Sequence, residues 1–133
     1  MMHAEWDSVS EEEEIYRENI LDHYRHPHNM GELTSCTVSH HELNPLCGDE
    51  LTMYLVIEDN VIKDAKFSGH GCAISVASAS MLTDKIKGMP VEKLVKLTEA
   101  DISQMLGITL SVVRMKCGML SLKAAMKAVE KKQ

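Results

Sequence analysis

The chain has 133 residues, of which 44% are hydrophobic and 26% charged, and this balance fits one soluble globular domain with a working core. Its formal net charge of −6 argues against general binding to nucleic acid or anionic membranes, and no apolar run is long enough to cross a bilayer. We therefore expect a single domain over residues 1–133, with residues 1–10 as a flexible lead-in.

An acidic segment near the N-terminus predicts the first helix. Ser10 and Glu13 have the spacing of a capping box, and the glutamates at positions 11–14 favour the positive end of a helix. The pattern that follows predicts an amphipathic helix over Glu12–Arg25, which Pro27 ends. Its apolar face consists of Ile15, Ile20, Leu21 and Tyr24.

Three stretches with strand character follow and predict an antiparallel meander. A weak strand is expected over Leu33–His41 and a stronger one over Glu50–Glu58. Asp59 and Asn60 fit a two-residue hairpin turn, after which Val61–Phe67 returns as the third strand. The apolar faces of the second and third strands carry Leu51, Met53, Leu55 and Ile57, and Val61, Ala65 and Phe67.

The C-terminal half supplies the helices that would cover this sheet. We expect a helix over Ala73–Lys87 that stops at Gly88, a short helix opened by Pro90, and helices over Thr98–Leu106 and Leu110–Glu130. The last helix has a predicted buried stripe of Val112, Met115, Met119, Leu122, Met126 and Val129. The fold class is therefore expected to be α+β, a three-stranded antiparallel sheet with helices packed on one face.

Three of the four cysteines carry the candidate chemistry, because Cys47, Cys72 and Cys117 each lie beside a glycine. Cys47 precedes a strand together with Asp49, and Cys72 links a strand to a helix, whose N-terminus favours the thiolate. Four cysteines are too few for a disulfide-stapled secreted domain, and the acidic N-terminus has no apolar signal region. A reducing cytoplasm is the expected setting, where thiols pack, bind metal or react.

Taken together, Cys47, Asp49, Cys72 and Cys117 can meet if loops at one end of the domain converge. Three thiolates and a carboxylate suit tetrahedral Zn²⁺, or an iron–sulfur cluster with one labile corner, because oxygen holds soft iron less firmly than sulfur does. The chain has no CxxC knuckle, so the cysteine spacing alone is not diagnostic of a metal site.

Other residues that could belong to such a site are weaker candidates. Arg114 and Lys116 are expected to lower the pKa of Cys117, although that cysteine taken alone also fits an ordinary helix contact. Cys36 has no glycine neighbour and is interpreted as a half-buried residue within the first strand. Five histidines are interpreted as solvated or structural rather than as ligands: His23, His26, His28, His40 and His41.

Several motifs resemble the IscU/SufU/NifU N-terminal scaffold family from about Tyr16 onward. The N-terminal segment of this chain resembles the start of the family's sequences at these residues: Tyr16-Arg17, Ile20 to Tyr24, Pro27, Asn29 and Gly31. Three stretches of this chain resemble the family's three cysteine motifs in order: Asn44-Pro45-Leu46-Cys47-Gly48-Asp49, Asp64 to Ser75 continuing to Met81, and Arg114-Met115-Lys116-Cys117. Three separate motifs in the right order make the resemblance specific.

The resemblance implies a scaffold for iron–sulfur cluster assembly, with Cys47, Asp49, Cys72 and Cys117 at the family's ligand positions. A pyridoxal-phosphate-dependent cysteine desulfurase would supply persulfide sulfur, with Cys47 and Cys117 as candidate acceptors. The scaffold would combine this sulfur with iron and electrons, and would pass transient [2Fe-2S] clusters to acceptor or carrier proteins. A Zn²⁺ ion would fill the resting site, and a homodimer is allowed when a cluster is bound.

The chain also departs from both main branches of that family. Lys116 stands where IscU-type proteins carry histidine, and the segment Ile108–Arg114 lacks their Leu-Pro-Pro-Val-Lys chaperone motif. Lys116 is SufU-like, yet the short Gly88–Ile108 segment leaves no room for the insertion of SufU proteins. Two functions therefore stay open: a non-enzymatic scaffold, or a zinc-dependent sulfurtransferase that accepts sulfur from and activates a SufS-type desulfurase. A purely structural zinc protein is a third alternative, against which the exchangeable carboxylate of Asp49 counts.

Overall fold

A computed structural model describes residues 11–132, so the expected lead-in at 1–10 and the capping box at Ser10 lie outside the described residues. The elements in chain order are α1 (Glu11–Arg25), β1 (Val38–Asn44), β2 (Asp49–Glu58), β3 (Val61–His70), α2 (Ala73–Ile86), α3 (Val91–Leu94), α4 (Glu99–Leu106) and α5 (Val112–Lys132). The strands form one antiparallel sheet in the order β1-β2-β3. This confirms the predicted fold class.

The hairpin between β2 and β3 forms as its sequence predicts. Asp59 and Asn60 both have left-handed φ angles, of 53° and 60°, which is the conformation of a two-residue turn that matches the twist of paired strands. The inward face of β2 carries Leu51, Met53, Leu55 and Ile57, all of them buried. This apolar face is the floor of the core on which the helices pack.

Two strand predictions were wrong in detail. The first strand begins at Val38 rather than Leu33, because the preceding residues form a turn in which the Cys36 amide donates to the Leu33 carbonyl at 3.2 Å. Cys36 therefore precedes β1, although it is half-buried as expected. In β3 a register shift opposite Val56 and Ile57 changes the phase of the strand, so that Ile62 enters the core instead of Val61.

Helix α2 is the central element of the core. It contacts α1, α5 and β3, and every residue from Ile74 to Thr83 is buried. The sequence predicted only one buried face for this helix. The small side chains on its other faces allow α1 and α5 to approach closely, so the helix is enclosed on all sides.

Helices α1 and α5 bury fewer of their predicted apolar residues. Of the face predicted for α1, Ile20 alone is buried, and the Ile15 side chain is 67% exposed. Helix α5 buries Leu122 and Val129 as expected, but Val112 is 80% exposed because the first turn extends beyond the packed body. Cys117 was predicted to lie off the buried stripe of α5, whereas the structure places it on the buried face.

The shorter helices begin and end as predicted. Pro90 precedes α3, and Thr98 caps α4 through a reciprocal capping box with Asp101. Gly107 ends α4 in the left-handed conformation, where an added Cβ would overlap the Tyr16 ring of α1. Over residues 11–132, none of the helices combines the length and the apolar character that a bilayer span requires.

The central position of α2 predicts a large effect of truncating its core side chains. Leu82→Ala should lower the free energy of unfolding by about 2–5 kcal/mol, because Leu82 is fully buried and its loss leaves a cavity. Leu21→Ala on α1, where the side chain is 39% exposed, is the matched control and should cost much less. Urea denaturation of both variants measures the difference, and equal losses would contradict the central role of α2.

Candidate metal centre

Cys47 lies on the four-residue turn that joins β1 to β2. Asn44 at the end of β1 anchors this turn: its carbonyl accepts from the amides of Cys47 (3.3 Å) and Gly48 (2.8 Å), and its side chain accepts from Leu46 (3.2 Å). Gly48 has a φ of 77°, which a residue with a side chain adopts only at a cost. The turn therefore holds the Cys47 thiol in an exposed position just before the buried Asp49.

The other two cysteines reach the same end of the sheet from different elements. Cys72 is the N-cap of α2, directly after β3, and Cys117 lies on the buried face of α5. The Sγ atoms of Cys47 and Cys117 are 3.9 Å apart. Together with a carboxylate oxygen of Asp49 they form a group whose ligand atoms all lie within 4.8 Å of one another.

The Cys72 thiol lies at the margin of this three-residue group. Its Sγ is 3.6 Å from the hydroxyl of Ser75, and both its backbone amide and its thiol interact with the Asp49 carboxylate. It also interacts with the Cys117 thiol. The structure thus brings Cys47, Asp49 and Cys117 together and places Cys72 beside them.

Ser75 orients the carboxylate, and the sequence alone did not single it out for this role. Its hydroxyl donates to Asp49 Oδ2 at 2.6 Å and lies 3.3 Å from the Cys117 carbonyl oxygen. A signal was present, because Ser75 follows Cys72 by three residues and therefore shares its face of the helix. Gly71 permits this contact, since a Cβ there would lie 3.0 Å from both the Asp49 Cγ and the Ser75 Cβ.

Asp49 is an ionised buried carboxylate. Burial by itself would raise the pKa of Asp49, but hydrogen bonds from Ser75, from the Cys72 amide and from the neighbouring thiols outweigh burial and lower it. The site therefore keeps one negative oxygen at neutral pH, which is the form that binds a metal ion.

Cys117 behaves in the opposite way, and the expectation that basic neighbours lower its pKa was wrong. Burial raises the pKa of Cys117 from 9.0 to about 12, with further increases from the Cys72 and Cys47 thiols. Arg114 and Lys116 adjoin it in sequence, but both side chains are exposed. Their charges lie in water, where they are screened from the buried sulfur.

Two surface features adjoin the centre. Lys116, Asn44 and Leu46 contribute to a cleft of about 220 Å³ between the β1–β2 turn and α5. A larger, mainly apolar groove of about 380 Å³ runs between α1, the start of α2 and the segment that leads into α5. Each depression is lined by a sequence neighbour of a cysteine: Leu46 and Lys116 in the cleft, and Ala73 in the groove.

Most of the histidines lie elsewhere. His23 pairs with the Ser80 hydroxyl at 2.7 Å, and His28 pairs with Asp84 at 2.6 Å, so these two fasten α1 and the following turn to α2. This confirms their structural interpretation. His41 has a different neighbourhood, because its Nε2 lies 3.4 Å from Glu50 on the outer face of the sheet.

Comparisons with known proteins agree with the fold and the motifs. The sequence model of the NifU-like N-terminal domain family matches residues 15–133. The zinc-dependent sulfurtransferase SufU of Bacillus subtilis is 35% identical over 136 residues, covering 90% of this chain and 92% of that protein. The iron–sulfur cluster assembly scaffold protein IscU 1 of Archaeoglobus fulgidus is 34% identical over 115 residues, covering 86% of this chain and 74% of that protein.

A solved structure gives the same result. A protein of Fervidobacterium islandicum AW-1, described as a candidate iron–sulfur cluster assembly scaffold for the SUF system, superposes with a TM-score of 0.70. It is 26% identical and covers 97% of this chain and 99% of its own. The chain belongs to the NifU-like N-terminal domain family, which includes the IscU and SufU proteins.

The raised pKa of Cys117 predicts a distinct reactivity in metal-free protein. Below its pKa the thiolate fraction rises about tenfold per pH unit, so alkylation of Cys117 should still be accelerating above pH 9. Exposed Cys47 should react first at neutral pH. Iodoacetamide labelling followed by peptide mass spectrometry measures both rates, and a Cys117 profile that levels off near or below pH 9 would contradict the assignment.

Proposed function

We propose that this chain is an iron–sulfur cluster assembly scaffold that accepts sulfur from a cysteine desulfurase and assembles and transfers [2Fe-2S] clusters. Cys47, Asp49, Cys72 and Cys117 are the proposed ligands of the cluster, which is cargo rather than a resident cofactor. The observation that supports this most directly is the convergence of two thiols and an oriented carboxylate from separate elements. A shared pocket at a loop-rich end of the domain is accessible to partners through the exposed Cys47.

The donor atoms fit a metal ion of the proposed kind. Tetrahedral Zn²⁺ with Zn–S bonds of about 2.3 Å requires sulfur atoms about 3.8 Å apart. The Cys47 and Cys117 sulfurs, at 3.9 Å, already have nearly that separation. Bound zinc would stabilise thiolates, and the ionised Asp49 supplies an oxygen donor beside them.

Cys47 is the proposed first acceptor of sulfur, because its thiol is exposed whereas that of Cys117 is buried and hard to ionise. The Cys47 thiolate attacks the outer sulfur of the desulfurase persulfide. A new S–S bond forms at Cys47 as the donor S–S bond breaks, and the desulfurase cysteine leaves as a thiolate. Cys117, 3.9 Å away, is the second candidate acceptor. Conversion of the sulfane sulfur to sulfide then needs two electrons from a separate reductant.

The proposed partners are a pyridoxal-phosphate-dependent cysteine desulfurase and the proteins that receive the finished cluster. Exposed apolar side chains near the centre support docking of such proteins: Leu46 beside Cys47, and Val112 and Val113 at the start of α5. Leu46 adjoins the exposed thiol of Cys47, where a desulfurase must approach to deliver sulfur, and the two valines precede Cys117 by one helical turn.

A zinc-dependent sulfurtransferase is the second candidate function. It is favoured by the SufU relative with that name and by the zinc-compatible separation of the two sulfurs. Here zinc would be resident, and a ligand from the desulfurase would release Cys47 to accept the persulfide. Lys116 directly before Cys117 is a sequence feature shared with this branch.

Anaerobic reconstitution with Fe²⁺, cysteine, a desulfurase and a thiol reductant that supplies the two electrons separates the two functions. A scaffold should develop visible absorption from a cluster and then activate an acceptor apoprotein. The sulfurtransferase instead predicts no transferable cluster, together with strong stimulation of desulfurase turnover by the zinc-loaded protein. The metal content of purified wild type and of Cys→Ser variants at positions 47, 72 and 117 gives the matched baseline.

Substitution of the oxygen ligand tests the proposed exchangeable corner. Asp49→Ala should give a cluster that persists several-fold longer and is released more slowly, because the oxygen-ligated corner is the one that exchanges. Asp22→Ala on α1, an exposed aspartate, is the control. Cluster lifetime and transfer to an acceptor are followed by visible absorption and circular dichroism. Unchanged release in Asp49→Ala would rule out a role of this carboxylate in exchange.

A further inference from the structure

A second group of potential metal ligands lies on the outer face of the sheet. It consists of His41 on β1, Glu50 on β2 and His70 on β3. Glu50 and His70 are directly opposite in the strand register, and His41 is two pairs away on the other side of β2, opposite Thr52. The Nε2 atoms of His41 and His70 lie 3.4 and 3.8 Å from the two carboxylate oxygens of Glu50.

The central strand organises this group. Glu50 extends from β2, and an imidazole from each neighbouring strand approaches one of its carboxylate oxygens. Strand pairing fixes the distance between the backbones of the two histidines, which would vary if they were on loops. All three side chains remain accessible from solvent, with 52%, 42% and 73% of their area exposed for His41, Glu50 and His70.

Two imidazoles and one carboxylate form a recognised donor set for divalent transition metals. In a tetrahedral site with metal–ligand bonds of about 2.1 Å, nitrogen and oxygen donors are about 3.4 Å apart. The observed nitrogen–oxygen distances of 3.4 and 3.8 Å, one to each oxygen of Glu50, are close to that separation for each histidine taken with the carboxylate. Each imidazole lies against a different oxygen of Glu50, so an ion bound by all three residues requires these exposed side chains to rotate toward one another.

We propose that His41, Glu50 and His70 bind a divalent transition-metal ion, Fe²⁺ or Zn²⁺, at a surface site separate from the cysteine centre. Asp49 and Glu50 are adjacent in β2 and point to opposite faces of the sheet, the first buried and the second accessible. The two sites therefore share a strand but no ligand. The proposal does not depend on the scaffold function, because the imidazole donors and their geometry are independent of the cysteines.

The alternative is that these residues form only exposed ion pairs, which contribute little. Metal titration of folded protein decides between the two. The cysteine centre is first filled with one equivalent of Zn²⁺, and further Zn²⁺, or Fe²⁺ under anaerobic conditions, is then added. We expect one additional equivalent to bind, measured by equilibrium dialysis. With Zn²⁺, the imidazole nitrogen NMR signals of His41 and His70 should shift together.

Substitutions assign the second equivalent to its ligands. The affinity for the second equivalent should fall at least about tenfold in each of three variants: His70→Ala, His41→Ala and Glu50→Gln. Loss of a residue that only hydrogen-bonds to a metal ligand already lowers metal affinity by about that factor. His26→Ala, at an exposed histidine directly after α1, should leave the affinity for the second equivalent unchanged. Circular dichroism checks that each variant is folded. Binding of either ion with this pattern supports the site; absence of a second equivalent, or one that all four variants retain, overturns it.

Discussion

The structure depends on the close approach of α2 and α5. Two serine hydroxyls of α2 bridge the helices: Ser78 donates to the Gly118 carbonyl at 2.7 Å, and Ser75 lies 3.3 Å from the Cys117 carbonyl. Gly118 lies in this interface, since a Cβ there would be in van der Waals contact with Ile74 of α2 at 3.6 Å. Because α2 also packs on β3, this contact fixes where Cys117 sits relative to the sheet end that carries Asp49.

Much of this arrangement could be predicted from local chemistry. The hairpin turn at Asp59, the N-terminal position of Cys72 and the short helix opened by Pro90 are each determined by a few neighbouring residues, and each was predicted correctly. The predictions failed where contacts between residues far apart in the sequence determine burial and hydrogen bonding. Burial of Cys117 by elements far away in sequence reversed the pKa shift that its charged neighbours suggested. Likewise, the role of Ser75 depends on Asp49, which lies 26 residues away.

The electrostatics of the centre divide its donors into two kinds. Asp49 is ionised without metal because the Ser75 hydroxyl and the Cys72 amide replace the water that burial removes. Cys117 has no such compensation and keeps its proton. Binding of a metal ion to Cys117 must therefore release that proton. The free energy of metal binding has to offset the cost of ionising the Cys117 thiol. A pocket with one anion and a protonated thiol avoids the repulsion that several neighbouring thiolates would create.

The alternation of side chains along β2 gives the protein two chemically different faces at one sheet end. Inward, Asp49 joins sulfur donors beside α2 and α5; outward, Glu50 joins imidazole nitrogens in contact with water. Soft sulfur donors favour zinc and iron–sulfur clusters, whereas imidazole nitrogen and carboxylate oxygen suit harder divalent ions as well. A one-residue slip of β2 would exchange these two carboxylates between the faces. The register that Asn44 and the Cys47 turn impose on β1 and β2 is therefore what keeps the two donor sets apart.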